Sequence, residues 1–316
     1  MKKFLFFCGV MIFPMVLVSG CVTTTKSGST HQVYGMPSNG DDIVGESFSV
    51  RVRPDDNLSR IGARYDVGLQ EMIDANPHVD PKHLRIGQQV TVPAQYVLPP
   101  KKYRDGIVIN VPELRLYYFS PDGNTVATYP VALGREKWRT PIGSTTVVRK
   151  AEAPVWRVPK SIRDHVFKTQ GELLPLEVPP GEDNPLGDYA IYLGMSGYLI
   201  HGTNAPQSVG QLISSGCVRM YNQDVKQLYE QVTVGTPVHI IHYPNKAGWR
   251  DGELYLEAHK SIADDSGAYQ RQAISATEAV TEALAGRKGV INSKVIEQIV
   301  ASHRGAPRVI GKAMTH

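Results

Sequence analysis

Cys217 and His201 lie sixteen residues apart in a chain that holds three cysteines. A thiol attacks as the thiolate, and a free thiol is mostly protonated at neutral pH, so it needs a base or an imidazolium beside it. His201, in Ile200-His201-Gly202-Thr203, offers that imidazole. Acyl transfer also needs N–H donors where an oxyanion develops, and small residues before the nucleophile let backbone amides converge. Ser214-Ser215-Gly216-Cys217 has that composition. Arg219, two residues past the thiol, is a fixed cation for a substrate bearing carboxylates. A lone thiol is more commonly a buried, inert one, and a lone histidine is more commonly structural. The pairing of the two motifs is what favours chemistry.

The elements that must position these groups are mostly short β-rich runs over residues 104–243. They are Ile107–Val111, Leu114–Phe119, Thr128–Leu133, Thr145–Val148, Ala190–Leu193 and Val238–Ile241, separated by turn formers such as Ser120-Pro121-Asp122-Gly123-Asn124. Val225, Leu228, Tyr229 and Val232 fall on one helical face after Asn222, a good N-cap. A mostly β domain of sandwich type with a short helix is expected. His239 and His242, three apart on a strand, face opposite sides and make a poor metal pair, so both read as structural. Trp138 and Trp156 suit either a substrate groove or simple packing.

Residues 48–94 read as a smaller βααβ unit. Phe48–Val52 alternates, Leu58, Ile61 and Tyr65 follow helical spacing behind Asp56 or Asn57, and a second short helix stops before Asn76-Pro77. Residues 22–46, rich in Thr, Ser, Gly and Asp, read as a flexible tether spanning roughly 25–30 Å. Residues 258–316 hold two candidate helices, Ile274–Ala285 and Ser293–Ser302, and read as a peripheral helical appendage.

Met1-Lys2-Lys3 followed by an apolar run to Val18 reads as a secretory signal over residues 1–20. Val18-Ser19-Gly20-Cys21 resembles a bacterial lipobox, which implies that Cys21 takes a lipid, and Val22 after it resembles outer-membrane sorting. An ordinary cleavable signal is the alternative. Cys8 leaves with the signal and Cys21 is modified, so Cys217 is expected to be the single free thiol of an exported, lipid-anchored periplasmic protein. The net charge of +4 is mild; it suits an anionic wall and is too weak and diffuse to argue for nucleic acid.

Two resemblances follow. Pro54-Asp55-Asp56-Asn57-Leu58, Ala75-Asn76-Pro77 and Leu84-Arg85-Ile86-Gly87-Gln88 resemble a LysM module, which implies binding of N-acetylglucosamine-containing glycans such as peptidoglycan. His201-Gly202-Thr203, Ser214-Ser215-Gly216-Cys217-Val218-Arg219-Met220 and Thr140-Pro141-Ile142-Gly143 resemble the signature of the L,D-transpeptidase catalytic domain, the YkuD family. Together they cover residues 48–245. The resemblance implies that Cys217 is the nucleophile, His201 its proton partner oriented by the Gly202 carbonyl, and Ser214–Cys217 the oxyanion turn. It also implies that Arg219 and Thr203 contact the stem peptide. No metal or organic cofactor is implied.

The thiolate would attack the third residue of a tetrapeptide stem, expel D-Ala, and pass the acyl group to a stem-peptide amine or a lysine of an outer-membrane protein. Water as acceptor would make it a carboxypeptidase. Many members carry His where this chain has Ser215, which leaves His201 as the one motif imidazole. Two rivals stand beside this reading. A papain-like peptidase normally places its cysteine before its histidine, the reverse of the order here, and a non-catalytic wall-binding lipoprotein would not need both motifs intact.

Overall fold

The computed structural model describes residues 32–262 and 274–314; the apolar leader and Cys21 lie outside the described residues. Strand β1 (Gln32–Gly35) pairs antiparallel with Thr125–Thr128, and β2 (Ile43–Gly45) pairs with a strand after the LysM-like unit. The second half of the expected tether is therefore built into the fold. Its Gln32 side chain donates to the Tyr65 carbonyl at 2.7 Å, and Ile43 and Val44 are buried, so the few apolar residues of a polar segment pin it down.

The βααβ unit is present. Strands β3 (Phe48–Arg51) and β4 (Gln89–Val92) pair antiparallel around α1 (Leu58–Arg64) and α2 (Leu69–Ala75). Asn57 caps α1 by accepting from the Arg60 N–H at 2.9 Å, and Leu58, Ile61, Met72, Val90 and Val92 form its small core. Asn76 explains its own motif: its amide donates to the carbonyls of Met72 and Thr91, and its Oδ1 accepts from Thr91 N–H, all at 2.8 Å, tying the end of α2 to β4. Strand β5 (Gln95–Val97) then receives β2.

The larger domain runs through β6 (Gly106–Asn110), β7 (Arg115–Phe119), β8 (Thr125–Pro130), β9 (Leu133–Gly134) and β10 (Gly143–Glu152). It continues with β11 (Trp156–Arg157), α3 (Lys160–Gln170), β12 (Glu177–Val178), β13 (Tyr189–Leu193), β14 (Leu199–His201) and β15 (Leu212–Ser214). It closes with β16 (Val218–Arg219), α4 (Asn222–Gln231) and β17 (Pro237–Ile241). Nine strands form one sheet in the order β1-β8-β7-β6-β17-β10-β13-β14-β16. Strand β10 serves both halves: Gly143–Thr146 pair with β17, Val147–Glu152 with β13, and a register break falls between Val147 and Arg149. Such a break bends the strand and curls the sheet. The two layers of the expected sandwich are thus halves of one curled sheet. Ile107, Ile109 and Leu116 of one half share a core with Ile191, Ile200 and Val218 of the other, and α4 closes it with Val225 and Leu228. Each such side chain contributes about 1.5–3 kcal/mol by burial.

The C-terminal region departs from a helical appendage. Strands β18 (Asn245–Arg250), β19 (Glu253–Ala258), β20 (Gly289–Ile291) and β21 (Arg308–Ala313) form a four-stranded sheet, and α5 (Ala276–Leu284) and α6 (Ser293–Ser302) lie against it. Its first two strands fall before the expected boundary, and β21 lacks apolar alternation, with Ile310 its one buried residue in a basic stretch. Among the described residues, no helix is long and apolar enough to cross a membrane.

A buried ion network locks this unit to the rest. Lys246 Nζ lies 2.9 Å from both Glu113 and Glu257 and donates to the Val97 carbonyl at 2.6 Å, while Glu257 accepts from Val97 N–H and from His259. Burial pushes the Glu257 carboxyl up, but the Lys246 and His259 cations outweigh it and hold it at about 2. Its contribution to stability is full above the ordinary carboxylate range and is lost as pH falls toward that value. Burial likewise pushes His259 down, yet Glu257 outweighs it and raises the imidazole, so that contribution is full in acid and fades as pH rises through the raised value. Lys246→Met leaves buried Glu113 without its ammonium partner and Glu257 with His259 alone, and should cost about 3–5 kcal/mol in urea unfolding at neutral pH. A loss below about 1 kcal/mol, the scale of an exposed pair, would show that the network does not hold the unit.

Candidate active site

Strands β14 and β16 run parallel, with Ile200 opposite Val218 and His201 opposite Arg219. Side chains alternate along a strand, and residues opposite one another share a face. Ile200, Val218 and Met220 therefore point into the core, where all three are buried. His201 and Arg219 face the other way, with Cys217 one alternation before Arg219. The pairing thus brings together three of the expected site residues across the sixteen-residue gap. Met220 N–H donates to the His201 carbonyl at 2.9 Å and extends the ladder past the histidine.

His201 is only 3% exposed. Its Nδ1 lies 2.6 Å from the Gly202 carbonyl oxygen, which can only accept, so Nδ1 carries the hydrogen and Nε2 keeps its lone pair. Burial, with the Arg219 cation adding to it, pushes the imidazole down to about 3. Burial also pushes the half-buried Cys217 thiol up, although the Leu199 amide and Arg219 partly offset this. At neutral pH the pair is therefore thiol and neutral imidazole, not thiolate and imidazolium.

The turn before the thiol is tightly specified. Gly216 has φ +109°, and a Cβ there would sit 2.9 Å from the Tyr198 ring. Its carbonyl accepts from Thr140 Oγ1 at 2.8 Å, and Thr140 in turn accepts from Gly134 N–H at 3.0 Å, which accounts for the threonine of Thr140-Pro141-Ile142-Gly143. Ser214 Oγ accepts from Gly216 N–H at 3.1 Å and donates to the Cys217 carbonyl at 2.6 Å. Ser214 is thus a brace, and the Gly216 amide is spent inside the turn. Within this turn, the amides of Ser215 and Cys217 have no acceptor among the described residues.

Thr203, expected at the substrate, is buried; its N–H donates to Asn222 Oδ1 at 2.8 Å and its hydroxyl accepts from Ala205 N–H at 3.0 Å. Asn222 is the site residue that the sequence reading missed. Its position before an apolar helical face suggested an N-cap, but Tyr221 holds that position without a side-chain capping bond, and Asn222, the first residue of α4, reaches back to the His201 loop. A Cβ on Gly202 would lie 2.2 Å from its Oδ1, which is why a glycine follows the histidine.

Beside the turn opens a cavity of about 500 Å³ lined by Arg135, Glu136, Lys137, Trp138, Arg139, His165 and Leu212, in which three cations outnumber one carboxylate. Arg135 N–H donates to the Ser214 carbonyl at 3.1 Å, so this cationic wall adjoins the thiol's turn. Trp138 stands edge-on to His165 of α3 at 5.9 Å and lines the cavity, whereas Trp156 lies in the antiparallel β11–β12 pair that α3 connects. Outside this site, Glu113, Glu257 and His259 offer ligand atoms within 4.8 Å of one another, but the Lys246 ammonium already supplies the cation between them. His239 bonds Ser144 and Asp105, both at 2.8 Å, within paired strands whose amides are committed to the ladder.

A curled β domain that sets one thiol, one imidazole and one guanidinium on the same ladder is the architecture of an acyl-transfer site. The L,D-transpeptidase catalytic domain (YkuD) matches residues 104–240, and the LysM domain matches residues 50–93. The Probable L,D-transpeptidase ErfK/SrfK of Escherichia coli (strain K12) is 42% identical over 260 residues, covering 81% of this chain and 83% of its own. The Probable L,D-transpeptidase YbiS of the same strain is 37% identical over 282 residues, covering 87% and 90%. The catalytic domain of the Enterococcus faecium L,D-transpeptidase, solved by NMR, aligns over 45% of this chain and 100% of its own at 22% identity, with a TM-score of 0.34. The chain belongs to the L,D-transpeptidase family and carries a LysM domain ahead of the catalytic one.

The neutral resting pair has a measurable signature. Alkylation of Cys217 by iodoacetamide should quicken by about tenfold per pH unit through neutrality, because only the small thiolate fraction reacts. The rate should level off only above the ordinary thiol range. A plateau beginning in mild acid would instead reveal a preformed thiolate–imidazolium pair.

Proposed function

We propose that Cys217 is the nucleophile of a peptidoglycan L,D-transpeptidase and that His201 carries its proton. The observation that carries this reading is the parallel pairing of β14 with β16, which sets the thiol, the unprotonated Nε2 of His201 and Arg219 on one face. The proton leaves the thiol for Nε2 as sulfur attacks the carbonyl of the third stem residue, since neither group favours ionisation beforehand. The amides of Ser215 and Cys217 receive the oxyanion. Collapse breaks the peptide bond, and the imidazolium returns the proton to the departing D-Ala amine, which leaves a thioester on Cys217. An acceptor amine then attacks the thioester, gives its proton to His201, and returns the thiol when the new amide forms.

The cationic wall of Arg135, Lys137 and Arg139, with Arg219, suits a stem peptide that carries several carboxylates. The acceptor is an amine, either of a second stem, giving a 3–3 cross-link, or of an outer-membrane protein lysine. The leader and Cys21 support placement in the periplasm on a lipid anchor, with the LysM domain on the glycan.

Cys217→Ala should lower turnover of a tetrapeptide stem by at least about 10³-fold. Mass spectrometry after carbapenem exposure should find one adduct, on Cys217. Muropeptide analysis of cells with and without the protein separates the acceptors: lost 3–3 dimers indicate a stem amine, and lost wall-bound protein indicates a lysine. Muropeptide remodelling by the Cys217→Ala protein, or an adduct on another residue, would overturn the assignment.

A further inference from the structure

The LysM domain touches the catalytic domain at the loop that joins the histidine to the cysteine. Gly68, the N-cap of α2, packs on Gly210, which lies between His201 and Cys217. A Cβ on Gly68 would sit 2.9 Å from the Gly210 Cα, and one on Gly210 would sit 2.4 Å from Leu69 N, so neither glycine admits a side chain without separating the two surfaces. Gln70 N–H donates to the Gly210 carbonyl at 3.3 Å, and Gly210 N–H donates to Val131 at 3.2 Å. From there the chain runs through β15 directly to Ser214, the brace of the nucleophile turn.

A second contact fixes the same docking. Glu71 accepts from Arg115 Nε and Nη2, each at 2.9 Å, while its Oε2 also accepts from Gly68 N–H at 2.7 Å. One carboxylate thus caps α2 and clamps the catalytic sheet. Arg115 is fully buried and further donates to the Asp66 carbonyl and to Thr128, each at 3.1 Å. Gln223, beside Asn222 at the start of α4, reaches Asp66 at 3.4 Å. The LysM domain therefore meets both the middle of the 202–216 loop and the helix end whose Asn222 holds Thr203.

We propose that the docking face of the LysM domain, Gly68 and Glu71 above all, is a positioning element of the active site. It holds the 202–216 loop so that His201 and Cys217 keep their pairing, and it does so independently of glycan binding. This rests on the reading of Cys217 as the nucleophile. It separates two roles of one domain: binding glycan changes how often substrate arrives, whereas docking changes how fast a bound stem reacts.

Full-length Gly68→Val and Glu71→Gln test this with a soluble tetrapeptide stem that bears no sugar, so that glycan binding plays no part. Gly68 has φ −71°, a backbone any residue adopts, so valine acts as a wedge and not as a strain on the chain. The expected result is a fall in kcat of about tenfold or more for Gly68→Val, with KM within about twofold, since small misplacement of reacting groups is costly. Glu71→Gln should show the same split to a smaller degree, with each variant's fold confirmed by thermal unfolding. Val290→Ala, on the exposed face of the C-terminal sheet at 66% exposure, should leave both constants unchanged.

An unchanged kcat in the folded variants, or a loss seen only on intact sacculi, would overturn the proposal and leave the LysM domain as a glycan anchor. If Gly68→Val does not fold, Glu71→Gln decides. Failure of the unmodified protein to turn over the stem would count against the functional reading alone. The iodoacetamide rate of Cys217 then still decides the docking: a changed rate in Gly68→Val supports it, and an unchanged one overturns it.

Discussion

Two residue pairs, Ile200 with Val218 and His201 with Arg219, set the geometry of the proposed site. Parallel strands cannot be joined by a tight turn, so the chain between them must leave the sheet and return. Here it leaves after His201, crosses the surface as the 202–216 loop, and re-enters at Cys217. Everything near the site serves that return. The apolar faces of Ile200, Val218 and Met220 anchor the ladder in the core, Thr140 and Ser214 fix the turn by which the chain comes back, and Asn222 fixes the segment by which it departs. A slip of one residue would turn Cys217 inward and Val218 outward, so the register is held by the same burial that stabilises the domain.

That burial also sets the protonation states. The dry environment that fixes the imidazole removes its basicity, and it raises the thiol at the same time. The site thus trades a ready thiolate for a held geometry. The Gly202 carbonyl acts as orienter, and being neutral it fixes the tautomer without adding a negative charge that would raise the imidazole. With Ser215 and not an imidazole ahead of Gly216, His201 is the one imidazole of the two motifs, which makes its tautomer the controlling detail.

Residue types were more legible in the sequence than their partners. The strands of the β domain, the LysM unit and helix α4 follow from local alternation, helical spacing and capping, and they appear close to the expected positions. Cys217, His201 and Arg219 were legible because each is chemically distinctive. What was not legible is pairing over long separations. β1 joins the sheet through pairing with β8 some ninety residues on, and a few residues of that polar segment, Gln32, Tyr34 and Met36, hint at it. The C-terminal sheet combines strands 245–258 with 308–313, and no local pattern links two edges so far apart. Asn222 was misassigned because an asparagine before a helix usually satisfies that helix, whereas this one satisfies a loop that only the tertiary fold brings near.

The glycines mark where that fold brings backbones together, and they connect the separate domains to the ladder. Gly202 yields space to Asn222, Gly216 to Tyr198, and Gly68 and Gly210 yield to each other. Three of these four lie at or between the ladder's two functional residues, and the fourth belongs to the LysM domain. A flexible linker would have left that domain free to search the wall, at the expense of any control over the loop. The buried Arg115–Glu71 pair takes the opposite course. An ion pair exposed by only 0% and 10% on its two side chains is hard to open, because each partner would be left charged and unpaired. The wall-binding domain is thereby fixed in orientation relative to the thiol, and a glycan bound to it would present its stem peptides from a constant direction.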